Sequence, residues 1–227
     1  FGSHVVLDNV SLKVEVGENM VVFGQSGTGK SVLLKCIVRL LEPDSGEIFI
    51  EGTDVLKLQI KELNEIRKQL GFLFQGAALY DSMSVKENLE FPLIRHFNFT
   101  PKEREEKVKS VLEKVSLEEA INKMPSELSG GMKKRIGLAR SIIAEPKLML
   151  YDEPTTGLDP ITSKEISSLI LELQKSLKMT SIVVTHDLLC AEIIADRAIV
   201  LNEGAVQHSG TITELTTSRD PFLRNFF

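Results

Sequence analysis

The sequence predicts an α/β fold, a parallel sheet interrupted by a helical insertion. Three observations predict it. Short unbroken apolar runs, of the kind buried on both faces of a parallel sheet, occur near the start and again after residue 147. A glycine-rich turn joins the first run to an apolar, helix-like stretch. From about Ala77 to Arg140, apolar residues recur instead at helical spacing. The 227 residues suit one domain with an insertion better than two full domains.

Val5, Val6 and Leu7, then Val10, Leu12, Val14 and Val16, alternate with polar residues up to Gly17 and predict β-structure. Met20-Val21-Val22-Phe23 predicts a doubly buried strand. Val32 to Val38 continues the glycine turn as a buried helix. Glu47-Ile48-Phe49-Ile50 predicts another strand, closed by Gly52. Thr100 caps a helix with Pro101 at its first position, and Val108, Val111, Leu112 and Val115 form its apolar face. Ser129 is the N-cap of a second helix, with Met132, Ile136, Ala139 and Ile143 as its inner stripe. Strands resume at Leu148–Tyr151, Ile182–Val184 and Ala198–Leu201, and Asn202-Glu203-Gly204 signals a hairpin.

Composition narrows the function. Hydrophobic residues at 42% with 26% charged imply a folded core. The 27 basic and 32 acidic residues give a net charge of −5, which argues against a nucleic-acid coat. Two cysteines, Cys36 and Cys190, exclude a disulfide scaffold and are expected as reduced core residues. No stretch reaches the roughly 18 apolar residues of a membrane span; charges break the best one, Ser181 to Leu201. No signal peptide is evident, and without an initiator Met the chain reads as trimmed. Membrane contact is expected only through a partner.

Gly24-Gln25-Ser26-Gly27-Thr28-Gly29-Lys30-Ser31 fits G-x-x-x-x-G-K-[ST] between a buried strand and a helix. Glycines let the backbone wrap a phosphate, and the helix start favours an anion. Lys30 would reach the β- and γ-phosphates of ATP, and the Ser31 hydroxyl would ligate Mg²⁺. Leu148-Met149-Leu150-Tyr151-Asp152-Glu153 is a strand ending in two acids, at the sheet edge where ligands bind. Asp152 would hold Mg²⁺ through water, and Glu153 would act as general base. Leu128-Ser129-Gly130-Gly131-Met132 exposes a second set of helix-start N–H groups. One nucleotide cannot easily use both sites of one copy, but two copies arranged head to tail could share two.

With these motifs in this order, the whole chain resembles the nucleotide-binding domains of ABC transporters. The resemblance implies a P-loop NTPase fold: an antiparallel β subdomain, a RecA-like parallel core and a helical insertion at about 77–140. It reads Gly24–Ser31, with Val32 next, as Walker A; Gln75 as the Q-loop; Leu128–Met132 as the signature; Leu148–Glu153 as Walker B; Asp159 as the D-loop; and His186 as the switch histidine. Gln75 would couple the Mg²⁺ and water to the insertion, Asp159 would cross a dimer interface, and His186 would contact the γ-phosphate. Phe1 stands where the family places an aromatic stacked on adenine. Met132 departs from the family's usual Gln.

Gly71–Val85, Glu87–Leu93, Met124–Met132 and the end Asp220–Phe227 resemble the Mla/Mce-type ATPases. That implies a homodimer powering phospholipid or lipid movement with an integral-membrane permease and an MCE-domain protein. Its expected place is the cytoplasmic face of the inner or plasma membrane, or an organelle equivalent. Leu79, Tyr80, Met83, Phe91, Pro92 and Leu93 would suit a helix of the permease, or form the insertion's own core. The alternative is the ATPase of an importer for a small polar solute such as an amino acid. A soluble ABC machine on DNA or ribosomes fits the length and charge poorly, and a P-loop kinase has no use for Ser129-Gly130-Gly131.

Overall fold

The computed structural model describes residues 5–227. Its centre is a six-stranded sheet. Five strands run parallel: β1 (Asn19–Phe23), β4 (Leu70–Leu73), β5 (Leu148–Asp152), β6 (Thr180–Thr185) and β7 (Arg197–Asn202). The sixth, β8 (Ala205–Gly210), returns antiparallel through the expected hairpin. The order is β4-β5-β6-β1-β7-β8, so the chain leaves the central β1 for one edge and works back. The small strands β2 (Phe49–Ile50) and β3 (Thr53–Asp54) pair separately.

Both faces of the sheet are covered, which explains the unbroken apolar runs. All five β1 residues are buried. Met20 and Val22 pack with Leu33, Leu34 and Ile37 of α1 (Lys30–Ile37). Val21 and Phe23 face the larger core, shared with the helices. Alternation on a doubly buried strand therefore sorts residues between two cores rather than between core and water.

Between β4 and β5 the chain is mostly helical, with α3 (Val85–His96), α4 (Pro101–Lys114) and α5 (Gly130–Ile142). Capping sets their starts. Ser84 with Glu87 and Thr100 with Glu103 form capping boxes, and Pro101 sits at N1 as expected. Ser129 accepts from Met132 N to begin α5. The predicted limit at Arg140 falls inside α5. Val108, Val111, Leu112, Val115, Ile136, Ala139 and Ile143 are buried, whereas Met132 is half-buried. The remaining helices are α2 (Ile60–Arg67), α6 (Pro160–Leu177), α7 (Leu188–Ile194), α8 (Ile212–Thr216) and α9 (Pro221–Phe226).

Two expectations need correcting. Residues 5–18 form no strand. Their alternation is real as burial: Val10, Leu12 and Val14 pack on the α1 core, while Val16 stays 94% exposed. The backbone is held by scattered bonds instead of a ladder, such as Asp8 N to Gly204 O at 2.8 Å and Gly17 N to Thr180 Oγ1 at 2.9 Å. The predicted strand at Glu47–Ile50 likewise contracts to two residues. The antiparallel subdomain is thus, among the described residues, one short β2–β3 pair. Side-chain alternation reports which residues face a core; pairing also needs a neighbouring strand in register.

Candidate nucleotide site at the carboxyl edge of the sheet

The glycine loop leaves the carboxyl end of β1 and feeds α1. Gly29 has φ +94°, a left-handed conformation suited to glycine, and serves as N-cap without a side-chain cap. At Gly24 an added Cβ would stand 2.7 Å from Leu201 O. The first N–H groups of α1 therefore meet no capping side chain and point toward the loop, as an anion site requires. Lys30 is 7% exposed. Its ammonium donates to Gly24 O at 2.7 Å and Gln25 O at 3.0 Å, and lies 3.6 Å from Glu153 Oε1. Thr28 Oγ1 also donates to Gln25 O, tightening the turn.

β5 brings in the acids. Ser31 Oγ donates to Asp152 Oδ1 at 2.7 Å. Glu153 N donates to Val184 O, extending the pairing with β6 by one residue. Glu153 then takes φ +50°, rare for a residue with a side chain. Its Oε2 accepts from Thr156 Oγ1 at 3.2 Å and lies 2.8 Å from His186 Nδ1. A carboxylate oxygen only accepts, so Nδ1 is the donor when Glu153 is ionised. Lys30, Ser31, Asp152, Glu153 and His186, from three separate segments, therefore form one connected cluster.

Other expected residues stand differently. The Gln75 side chain is exposed, and it is the backbone carbonyl that is held. Asp159 caps α6, accepting from Ile161 N, Thr162 N and Thr162 Oγ1. The Thr162 hydroxyl, followed by the backbone bonds, holds its carboxyl below the usual range. Ser129 and Gly130 are exposed at the start of α5, Leu128 is buried beneath, and an added Cβ on Gly131 would approach Thr162 Cγ2 at 2.9 Å. Among the described residues, no hydrogen bond or ion pair ties Leu128–Met132 to Lys30 or Glu153. Gln25, Ser26 and Gly27 form the exposed outer turn of the loop, and Val32 is half-buried in the first turn of α1. Phe1 lies outside the described residues.

Sequence reasoning missed Lys134. It is 6% exposed on α5 and donates to Gln75 O and Glu153 O. Burial pushes its pKa down. The available signal was a lysine beside Ile136, Gly137 and Leu138, where an amphipathic helix should turn inward. Thr155 was missed too; its hydroxyl donates to Asp187, the cap of α7, at 2.8 Å.

The ABC transporter family profile matches residues 7–156, which include the glycine loop, the signature segment and both acids. The chain belongs to the ABC transporter family. Over 226 residues it is 40% identical to the probable ribonucleotide transport ATP-binding protein mkl of Mycobacterium leprae, covering all of this chain and 65% of that protein. It is 42% identical to the intermembrane phospholipid transport system ATP-binding protein MlaF of Haemophilus influenzae, over 96% of this chain and 83% of that one. The methionine import ATP-binding protein MetN of Carboxydothermus hydrogenoformans is 40% identical, over 92% of this chain and 62% of that one. The chain thus spans under two thirds of the mycobacterial and methionine-import relatives. Among solved structures, the dimeric cassette MJ0796, in a post-hydrolysis state with ADP and Pi, aligns with a TM-score of 0.83. It shares 34% identity over 91% of this chain and 90% of that one. The parallel core and the ABC-cassette fold are as the sequence predicts.

Proposed function

We propose that this ABC ATPase domain hydrolyses ATP as the soluble subunit of a transporter that moves phospholipid or another lipid. One observation carries the ATPase reading: Lys30, Ser31, Asp152, Glu153 and His186 meet at the carboxyl edge of the sheet, beside an uncapped helix start. In this reading the α1 N–H groups and Lys30 take the β- and γ-phosphates, replacing the loop carbonyls that Lys30 now bonds. Ser31 and Asp152 offer adjacent hard oxygen donors, the kind Mg²⁺ takes together with waters and phosphate oxygens. Bound there, Mg²⁺ would neutralise phosphate charge. Glu153 removes a proton from a water whose oxygen attacks the γ-phosphorus. The bond from the γ-phosphorus to the bridging oxygen breaks, and ADP leaves with that electron pair. His186 orients Glu153 through Nδ1–H; for the same ring to hold the γ-phosphate, Nε2 must also carry a proton and donate.

Ser129-Gly130-Gly131 supplies the second anion site, used on the ATP of a second copy in a head-to-tail homodimer. The dimeric state of the MJ0796 cassette supports this arrangement. Closing the dimer draws the insertions together and moves the permease at the cytoplasmic face of the membrane. Likeness to MlaF supports a phospholipid cargo, and the resemblance of the Gly71–Val85 and Glu87–Leu93 segments to Mla/Mce-type ATPases supports an MCE-domain partner. Likeness to MetN favours the second reading, an importer of a small polar solute.

Two experiments test these levels separately. Glu153→Gln is expected to abolish turnover and to trap an ATP-bound dimer by size-exclusion chromatography; wild-type turnover would remove Glu153 as the base. Pull-down of the tagged chain in mild detergent, with protein and lipid mass spectrometry, is expected to return a permease, an MCE-domain protein and phospholipid. A permease with a solute-binding protein and no MCE protein would establish the importer.

A further inference from the structure

One face of α5 grips the segment that follows β4. The gripping residues, Lys134, Gly137 and Arg140, are spaced three apart and so share a face. Lys134 donates to Gln75 O. Gly137 lies so close that a Cβ there would sit 2.8 Å from Ala77 Cβ. Arg140 donates to Ala77 O at 3.0 Å and Ala78 O at 2.8 Å. Ala77 and Ala78 both take left-handed φ, +60° and +52°, which alanine does not hold unaided. The far end of the segment is tied to α3 by the fully buried Asn88, which bonds Tyr80 N and O, Met83 O and Ser84 O.

The same Lys134 ammonium also reaches Glu153 O at 3.3 Å. Glu153 is likewise a non-glycine residue with left-handed φ, and its side chain points where its backbone sends it. Val184 O holds its N–H, and its C=O accepts from Lys134 Nζ and from Thr156 N, each at 3.3 Å. We infer that Lys134 is a positioning residue for hydrolysis: one buried ammonium clamps the backbones of Gln75 and Glu153, so that α5 sets how Glu153 presents its carboxylate. Lys134 touches no reacting atom in this arrangement. It joins the helix that starts at the signature serine to the general base by a route that bypasses the nucleotide. The inference rests on the reading of Glu153 as the base.

The test uses the full chain with Mg²⁺ and ATP. Lys134→Met keeps the stem and removes the donors; Lys134→Arg keeps a buried cationic donor. Lys134→Met is expected to lower kcat about 10–100-fold, the scale of a misplaced reactive group. The Kd for a fluorescent ATP analogue should stay within about threefold, because the phosphate groups are held elsewhere. Lys134→Arg should recover most of the rate. In a Glu153→Gln background, adding Lys134→Met should leave the trapped ATP-bound dimer intact, since the nucleotide is held by other groups. Wild-type kcat in Lys134→Met, or equal losses in kcat and Kd, or loss of the trapped dimer when Lys134→Met is added to Glu153→Gln, would overturn the clamp. If Lys134→Met fails to fold, Lys134→Gln must show the same split between kcat and Kd. Full turnover by Glu153→Gln would sink the base and the clamp together; a dead Glu153→Gln with an active Lys134→Met would sink the clamp alone.

Discussion

Two helices of this chain begin with glycine-rich turns that offer N–H groups to an anion, and their surroundings differ sharply. At the start of α1, Lys30 is 7% exposed and bonded to two loop carbonyls, and Ser31, Asp152, Glu153 and His186 close around it. At the start of α5, Ser129 and Gly130 are exposed, and among the described residues Ser129 bonds only its own helix, at Met132 N and Lys133 N. The bare helix start is worth about 0.3–1 kcal/mol toward an anion in either place. What separates the two is the buried cation and the paired acids. The first region gathers an ammonium, a hydroxyl, two carboxylates and an imidazole. The second offers an exposed serine and glycine with no such groups bonded to them among the described residues.

The largest expected effect attacks the first region. Lys30→Ala should weaken ATP binding roughly 10–100-fold, since a charge-assisted bond at a buried site contributes about 1.5–3 kcal/mol. Isothermal titration of ATP into the purified variant measures this. Unchanged affinity would mean that α1 is no more specialised than α5, and the comparison would collapse. Ser129→Arg attacks the second region. It should leave ATP affinity of the isolated chain unchanged, because Ser129 is remote from Lys30 in the bond network, yet reduce steady-state turnover by about tenfold or more by obstructing the paired copy. Equal loss of binding would place both helix starts on one nucleotide of one copy.

A third prediction concerns the packing that joins the regions. Gly137→Val should destabilise the fold by about 1–3 kcal/mol, the cost of overpacking, because its Cβ would meet Ala77 and Leu73. Urea denaturation with an unchanged slope would report it. A neutral substitution would mean that α5 and the segment after Gln75 are not in firm contact, and that the two regions move independently.

How much of this the sequence displayed depended on range. The glycine loop, Thr100-Pro101 and Ser129 were legible because a cap is written within about four consecutive residues and a phosphate loop within about eight. Met20–Phe23 was legible because a doubly buried strand has no polar face to hide. Residues 5–18 misled for the opposite reason: Val10, Leu12 and Val14 do turn inward, but a ladder depends on a distant partner. Lys134 and Arg140 were illegible on similar grounds. Their partners, Gln75 O, Glu153 O, Ala77 O and Ala78 O, are backbone atoms 19 to 63 residues away, and no side chain at those positions advertises the contact. Asp159 was legible as an acid before Pro160, and its bonds within α6 show a cap.

The smallest effect compares the accessibility of the two regions directly. Cys190 lies in α7, just past His186; burial pushes its thiol up to about 12, and it is fully buried. At pH 8 its thiolate fraction is on the order of one in ten thousand, so a maleimide should label it only when the first region opens. Because its folded pKa is raised, Cys190 favours the fold fully below about pH 9, and that contribution falls away as pH rises toward 12. A cysteine introduced as Ser129→Cys would be exposed at a helix N-terminus, where the dipole lowers a thiol's pKa, and should label within minutes. Added to Glu153→Gln with ATP and Mg²⁺, the same thiol should become protected as a second copy covers it, while Cys190 changes little. Protection in the chain alone, independent of protein concentration, would mean that α5 folds back on its own nucleotide. The exposed helix start would then belong to the same site as α1.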